Sequence, residues 1–338
     1  MGDSVVLPAS RSHLESLPVE LIQEIFLHCL EFNLPRASAY ISRVLSNPML
    51  YKWLIRLAFS SSNESSKRNH FFAGDFLPPQ LDFFTFRPSQ RRDLQKDILN
   101  TRWCTLRLFR KCQREYVQRA LNLLSRDLVF SPEDLHTLST IDQFFDLNPN
   151  SHDRGHCGRR SASGDLTLTG LDHNTGTEYH IAVWFHFGAV QVLKHTRVDA
   201  DHDLFRLPTC SLEAPLPMPD RLLRAPWTEE QLDFLQLLSA DTCLDETRSR
   251  RVLRQTIKDR DYKAFERLLG LHIRNWLYKY PKRWPVLPNH FQVALKYAEN
   301  AREDPFLQLL VSQRWDDLSD DELLLKGEVM KQMRVGCT

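Results

Sequence analysis

The chain lacks most of what would assign it to a special class. Its seven cysteines, Cys29, Cys104, Cys112, Cys157, Cys210, Cys243 and Cys337, are odd in number and include no Cys-x-x-Cys pair. That argues against a disulfide framework and fits a reducing compartment. Only 11 glycines and 18 prolines occur in 338 residues, which excludes a flexible low-complexity chain and a collagen-like one. Neither sign of charge dominates: the net charge is +1, so the chain as a whole is no obvious nucleic-acid binder. No apolar run approaches the roughly 18 residues that span a bilayer. The opening MGDSVVLPAS has no basic region followed by an apolar one, and Val6 breaks the myristoylation pattern. Also missing are the Gly-x-x-x-x-Gly-Lys loop, the Gly-x-Ser-x-Gly elbow and the His-Glu-x-x-His zinc motif. The expectation is a cytoplasmic and/or nuclear protein that is not an enzyme and needs no cofactor.

What is present is ordinary globular composition, 42% hydrophobic and 26% charged. The pattern divides into four segments: 12–59, helical; 60–150, a helical connector with a long basic helix; 151–215, a small antiparallel β meander; and 216–338, helical again. The expected fold is therefore mainly α. In the first segment Leu17, Leu21, Ile22, Ile25, Phe26 and Leu30 recur at helical spacing, with Glu20, Gln23, Glu24 and His28 between them. Asn33 and Pro35 punctuate, and Asn47-Pro48 marks the next boundary. SSSNESSKRN (60–69) reads as an exposed loop, and the phenylalanine-dense stretch after it as an irregular connector. Residues 88–126 read as one long helix. Ten basic and three acidic side chains over 91–126 give it +7, a charge that could attract RNA or an acidic protein, though no nucleic-acid motif accompanies it and a solvated or internally balanced face accounts for it. Ser131 is placed to cap a helix that begins with Pro132.

DLTLTGL, TEYHIAVWFHF and AVQVLKHT are rich in Thr, Val, Ile, Tyr and Phe and are separated by turn residues, which predicts the meander. A proline-rich linker, 207–220, follows. Thr228 with Gln231, and Ser319 with Glu322, fit capping boxes, and Trp227 with Leu232 fits a hydrophobic staple. VLRQTIKDRDYKAFERLLGL and VALKYAENAREDPFLQLLVS share a helix–turn–helix rhythm. They end in Leu268-Leu269 and Leu309-Leu310, 41 positions apart, with a weaker third copy ending at Leu237-Leu238. Such repeats suggest stacked pairs, because one pair alone cannot bury its apolar face.

The run LPVELIQEIFLHCLEFNLPRASAYISRVLS (17–46) resembles the F-box: Leu-Pro, a carboxylate at Glu20, Ile22, Ile25, Phe26 and Leu30 on one face, then Ile41-Ser42-Arg43 in a second helix. With Asn33-Leu34-Pro35 and Ala37-Ser38 it looks most like the F-box-like proteins abundant in filamentous fungi. The resemblance implies docking on the Skp-type adaptor of an SCF ubiquitin ligase, and through it on a cullin scaffold. Leu17, Pro18, Leu21, Ile22, Ile25, Phe26, Leu30 and Leu34 would make the contacts, and an unknown protein substrate would be held elsewhere. VLSNPML runs straight to Pro48, without the family's usual tryptophan and longer spacer, which raises the alternative of an interaction scaffold without ligase function.

Residues 249–312 distantly resemble ankyrin repeats in rhythm and terminal Leu-Leu, while the Thr-Pro-Leu-His opening is absent. NWLYKYPKRWPVLPNHF (275–291) offers Trp276, Tyr278, Tyr280, Arg283 and Trp284, types enriched at interface hot spots and equally at home as wedges in a core. His152, His156, His173, His180, His186, His195 and His202 crowd the middle, but no shared helical face fixes them together, so no metal site is assigned; a metal-binding protein is the remaining alternative.

Overall fold

The computed structural model describes residues 12–60, 81, 86–146, 165–185, 188–194, 204–206, 216–239, 242–273 and 282–334. The serine-rich stretch and the phenylalanine-dense stretch lie outside the described residues, apart from Ser60, Leu81 and Phe86. The fold is mainly α with a small antiparallel sheet. Two compact units form. The first takes Met1–Phe86 and Lys111–Leu207; the second takes Arg87–Arg110 and Pro208–Thr338. The expected segment 12–59 lies wholly in the first unit and 216–338 wholly in the second, while 60–150 and 151–215 are shared out between them.

The first unit opens with α1 (Val19–Cys29), α2 (Ala39–Leu45) and α3 (Pro48–Phe59). Each boundary has a local cause. Pro18 precedes α1 in extended backbone, and Leu30 ends it in the left-handed region at φ 50°. Ser38 Oγ accepts from Ile41 N–H at 3.2 Å to start α2, and Asn47 Oδ1 accepts from Met49 N–H at 2.9 Å to start α3. Ile22, Phe26 and Leu27 of α1 are buried, as are Ile41 and Leu45 of α2 and Leu50, Leu54 and Ile55 of α3. Gln23 Nε2 donates to Val44 O at 3.0 Å and ties α1 to the end of α2.

Next in the chain are α4 (Pro88–Asn100) and α5 (Leu106–Asp127), which correct the expectation of one helix over 88–126. Thr101 turns to extended backbone (ψ 150°), and Thr105 Oγ1 accepts from Leu108 N–H at 3.3 Å to begin a second helix. Arg221 donates to the carbonyls of Leu99 and Cys104, so the break is held by a side chain from far along the sequence. In the first unit, Glu115 of α5 pairs with Lys52 at 2.9 Å and with Arg56, anchoring α3. Burial pushes the neighbouring Cys112 thiol up to about 12.

α5 leads into β1 (Leu128–Phe130), α6 (Pro132–Ser139) and α7 (Ile141–Asp146). Ser131 caps α6, its Oγ accepting from Asp134 N–H at 3.1 Å. Then come β2 (Leu166–Asp172), β3 (Glu178–Trp184), β4 (Ala189–Lys194) and β5 (Leu204–Arg206). The strands lie in the order β1-β2-β3-β4-β5, all antiparallel. The expected meander is β2 to β4; β1 and β5 extend it at either edge. Leu168, Ile181 and Val192 stand opposite one another across the register and are buried, and Val129 opposite Leu171 lies on the exposed face.

The second unit combines α4 with β6 (Leu216–Pro217), α8 (Glu229–Ser239), β7 (Thr242–Cys243), α9 (Glu246–Lys258), α10 (Tyr262–Gly270), β8 (His272–Ile273), β9 (Lys282–Arg283), α11 (Pro288–Tyr297), α12 (Pro305–Arg314) and α13 (Leu323–Arg334). Leu94, Ile98 and Leu99 of α4 are buried, and α4 packs against β6. The two similar stretches are helix pairs, α9–α10 and α11–α12. α9 packs on α10 and α11, and α12 on α10 and α11, so the pairs stack. Leu268, Leu269, Leu309 and Leu310 are all buried. Equivalent aspartates start the second helix of each pair: Asp261 accepts from Ala264 N–H at 3.0 Å and Asp304 from Leu307 N–H at 2.9 Å. Arg260, in the turn of the first pair, bonds Asp304 at 2.6 Å and lies over the Phe306 ring.

The two capping boxes expected here are corrected. Thr228 Oγ1 does accept from Gln231 N–H at 3.2 Å, but the Gln231 amide donates to Arg221 O and Arg224 O instead of reaching back. Ser319 makes no side-chain cap, because a 3₁₀ turn, Asp320–Glu322, intervenes and α13 starts only at Leu323. Trp227 and Leu232, the expected staple, are both buried.

Candidate docking surface

α1 carries two kinds of apolar residue, and its amphipathic period separates them. Ile22 (0% exposed) and Phe26 (3%) face inward, with Phe26 edge-on to Phe32 at 6.0 Å. Both were expected on the docking face. The correction is physical: a three-helix module this small needs its largest inward side chains for its own core. Leu21 (44% exposed) and Ile25 (39%), four residues apart, share the outward face. Pro18 is exposed beside them, and Leu17, Leu30 and Leu34 are half-buried.

Two further apolar residues add to the surface of this module. Val19 is 39% exposed and Met49, at the start of α3, 47%. Sequence periodicity missed both. Val19 precedes the first repeat of the pattern, and Met49 sits just after a helix-start proline where no period is yet established. Glu20, Glu24 and His28 are exposed around the stripe, and Glu24 lies 4.0 Å from His28. The surface is a narrow apolar strip with a mostly acidic margin.

Of the aromatic-rich segment, Trp276, Tyr278 and Tyr280 lie outside the described residues. Arg283 is exposed on β9. Trp284 is fully buried: its N–H donates to Leu271 O at 2.9 Å, its indole N–H to Ser249 O at 3.4 Å, and its carbonyl accepts from Arg314 at 2.5 Å. A hot-spot role for Trp284 is thus corrected to a core wedge bound to α9, the end of α10 and α12.

His152, His156, His186, His195 and His202 lie outside the described residues. His180 stands on the exposed sheet face, 3.3 Å from Thr169 Oγ1 and 3.9 Å from Glu178. No group of three His, Cys, Asp or Glu side chains converges among the described residues. The basic charge around α5 is met in part within each unit. Arg114 lies 3.8 Å from Asp142, and Asp233 offsets part of the burial that brings Arg110 down to about 10. Among the described residues no helix is long and apolar enough to cross a membrane. Comparison with protein families, curated proteins and solved structures gave no match.

Proposed function

We propose that this protein is an F-box-type substrate receptor: α1 to α3 dock on a Skp-type adaptor, linking the chain to a cullin scaffold, and the rest of the molecule holds a protein to be ubiquitinated. The observation that carries the reading is the outward Leu21–Ile25 stripe with exposed Pro18, Val19 and Met49 in the same module, in the stretch that resembles the F-box. Such a protein does no chemistry. It raises the effective concentration of target at a ligase bound elsewhere. Each half-exposed stripe residue would contribute about 1 kcal/mol on burial, less than the roughly 1.5–3 kcal/mol of a fully transferred side chain.

The test separates stripe from core. Leu21→Glu with Ile25→Glu should lower affinity for a Skp-type adaptor at least tenfold and leave the urea midpoint nearly unmoved. Ile22→Ala should instead cost about 2–4 kcal/mol of stability. Full adaptor binding by the folded double variant would overturn the reading. A second reading, an interaction scaffold without ligase function, is supported by the stacked α9–α12 pairs. It predicts that the native chain, well folded, has no measurable adaptor affinity.

A further inference from the structure

Among the described residues, one face of α13 has no cover. Leu325 and Val329 of this helix are buried, and it packs on α11. The opposite face carries Leu324, Gly327, Glu328 and Lys331, all exposed and spaced at i, i+3, i+4 and i+7. Leu324 is 92% exposed and its neighbour Leu323 69%, the two most exposed large apolar side chains among the described residues. Single surface leucines are ordinary, but these two form one patch at the start of a helix.

Gly327 is a second, independent observation. It lies inside α13, its φ is not positive, and a Cβ added there would meet nothing within 4 Å. Glycine in a helix interior is less favourable than alanine, and neither turn geometry nor crowding calls for it here. What it does offer is close approach of an outside surface to the helix backbone. Leu324 and Gly327, one turn apart, are a projection and a recess on the same face.

Charge gives the face a direction. Asp321 precedes the patch and Lys331 follows it, both exposed. Asp320 is held by Lys326 at 3.1 Å, whereas Asp321 and Lys331 have no ion-pair partner among the described residues. A face with a projection, a recess, a negative end and a positive end complements its own copy turned through a two-fold axis, the isologous arrangement. With the two helices antiparallel and Leu324 of each copy over Gly327 of the other, Asp321 of each falls beside Lys331 of the other. A parallel pairing would set Asp321 against Asp321.

We propose that this face of α13 is a homodimer interface, seated antiparallel on the same face of a second copy of the chain. A helix of 12 residues is about 18 Å long, so the contact is small and the dimer weak and concentration-dependent. The surface belongs to the second unit, and it is tested without adaptor, so this proposal and the adaptor reading can fail separately.

Sedimentation velocity of the full chain over about 2–200 μM should show the average mass rising above 39.6 kDa toward the dimer. Leu324→Glu and Gly327→Leu should each weaken association at least about tenfold. Both positions are open to solvent, so circular dichroism should show the fold retained. Asp321→Lys alone and Lys331→Asp alone should each weaken the dimer, because each sets like charges together across the axis. An equimolar mixture of those two variants should restore it, because opposite charges then meet at both ends. Leu21→Glu, on α1, should leave association unchanged. The proposal is overturned if the chain stays monomeric throughout, in which case the face serves a different partner or none. It is equally overturned if Leu324→Glu and Gly327→Leu both associate as tightly as the native chain, if mixing the charge variants restores nothing, or if Leu21→Glu dissociates the dimer as fully as Leu324→Glu.

Discussion

His290 shows how much one side chain can fix. It is fully buried at the start of α11, where Nδ1 accepts from Leu287 N–H at 2.9 Å and Nε2 lies 3.2 Å from Arg250 O. A carbonyl only accepts, so Nε2 carries the proton and Nδ1 is bare. A second proton would have to enter on Nδ1, against an N–H already pointing there. Burial, with the nearby Arg250 and Arg254 cations, brings its pKa down from 6.5 to about 4. The unfolded chain binds this proton at a pH where the folded chain does not. The neutral ring's contribution is thus complete above pH 6.5 and is lost as the pH falls toward 4. Between pH 7 and pH 5 the linked loss is about 2 kcal/mol. Urea unfolding at the two pH values should show it, and His290→Gln should flatten that part of the profile. At this scale the sequence was partly legible. The period of α1 marked its apolar residues, but period alone assigned Ile22 and Leu21 to one docking set. Only the packing of α1 against α2 decides which of the two turns inward.

Elements were legible where a local signal stood alone. Ser131-Pro132 started α6, the alternating Thr, Val and Ile runs gave β2 to β4, and the twin Leu-Leu endings gave the stacked pairs. The misses came where the deciding group was distant in sequence. Nothing within 88–126 announces Arg221, which holds the Leu99 and Cys104 carbonyls at the break between α4 and α5. Likewise Gln231 had the right spacing for a reciprocal cap, yet two carbonyls upstream of the helix claimed its amide. The turn between β3 and β4 offers a test at this scale. Gly188 has φ +56°, and a Cβ there would stand 2.6 Å from Cγ and 2.8 Å from Cβ of the buried Gln113. Left-handed backbone and steric overlap act together, so Gly188→Ala should destabilise by about 2–4 kcal/mol. Thermal unfolding followed by circular dichroism would measure it, and an unchanged midpoint would show that the contact relaxes freely.

At the scale of the molecule, sequence order and spatial order part company. The second unit is assembled from Arg87–Arg110 and Pro208–Thr338, so cutting the chain near residue 208 does not isolate it. A fragment of 208–338 lacks the buried side chains Leu94, Ile98, Leu99 and Phe109, the last of which packs 5.2 Å from Phe234. At roughly 1.5–3 kcal/mol for each buried side chain the deficit is about 6–12 kcal/mol, comparable to the whole stability of a typical domain. The fragment should show no cooperative melt, whereas the full chain should; a sharp transition in the fragment would refute the estimate.

That discontinuity also has a consequence in time. During translation α4 leaves the ribosome well before the strands and helices that will cover it, because residues 111–207 must be polymerised first. At about 5–20 residues per second the wait is on the order of 5–20 s. Throughout it Leu94, Ile98 and Leu99 await the partners that bury them in the finished unit. The nascent chain is therefore most exposed to holdase chaperones, and to misassembly on crowded polysomes, in the interval between synthesis of α4 and synthesis of β6.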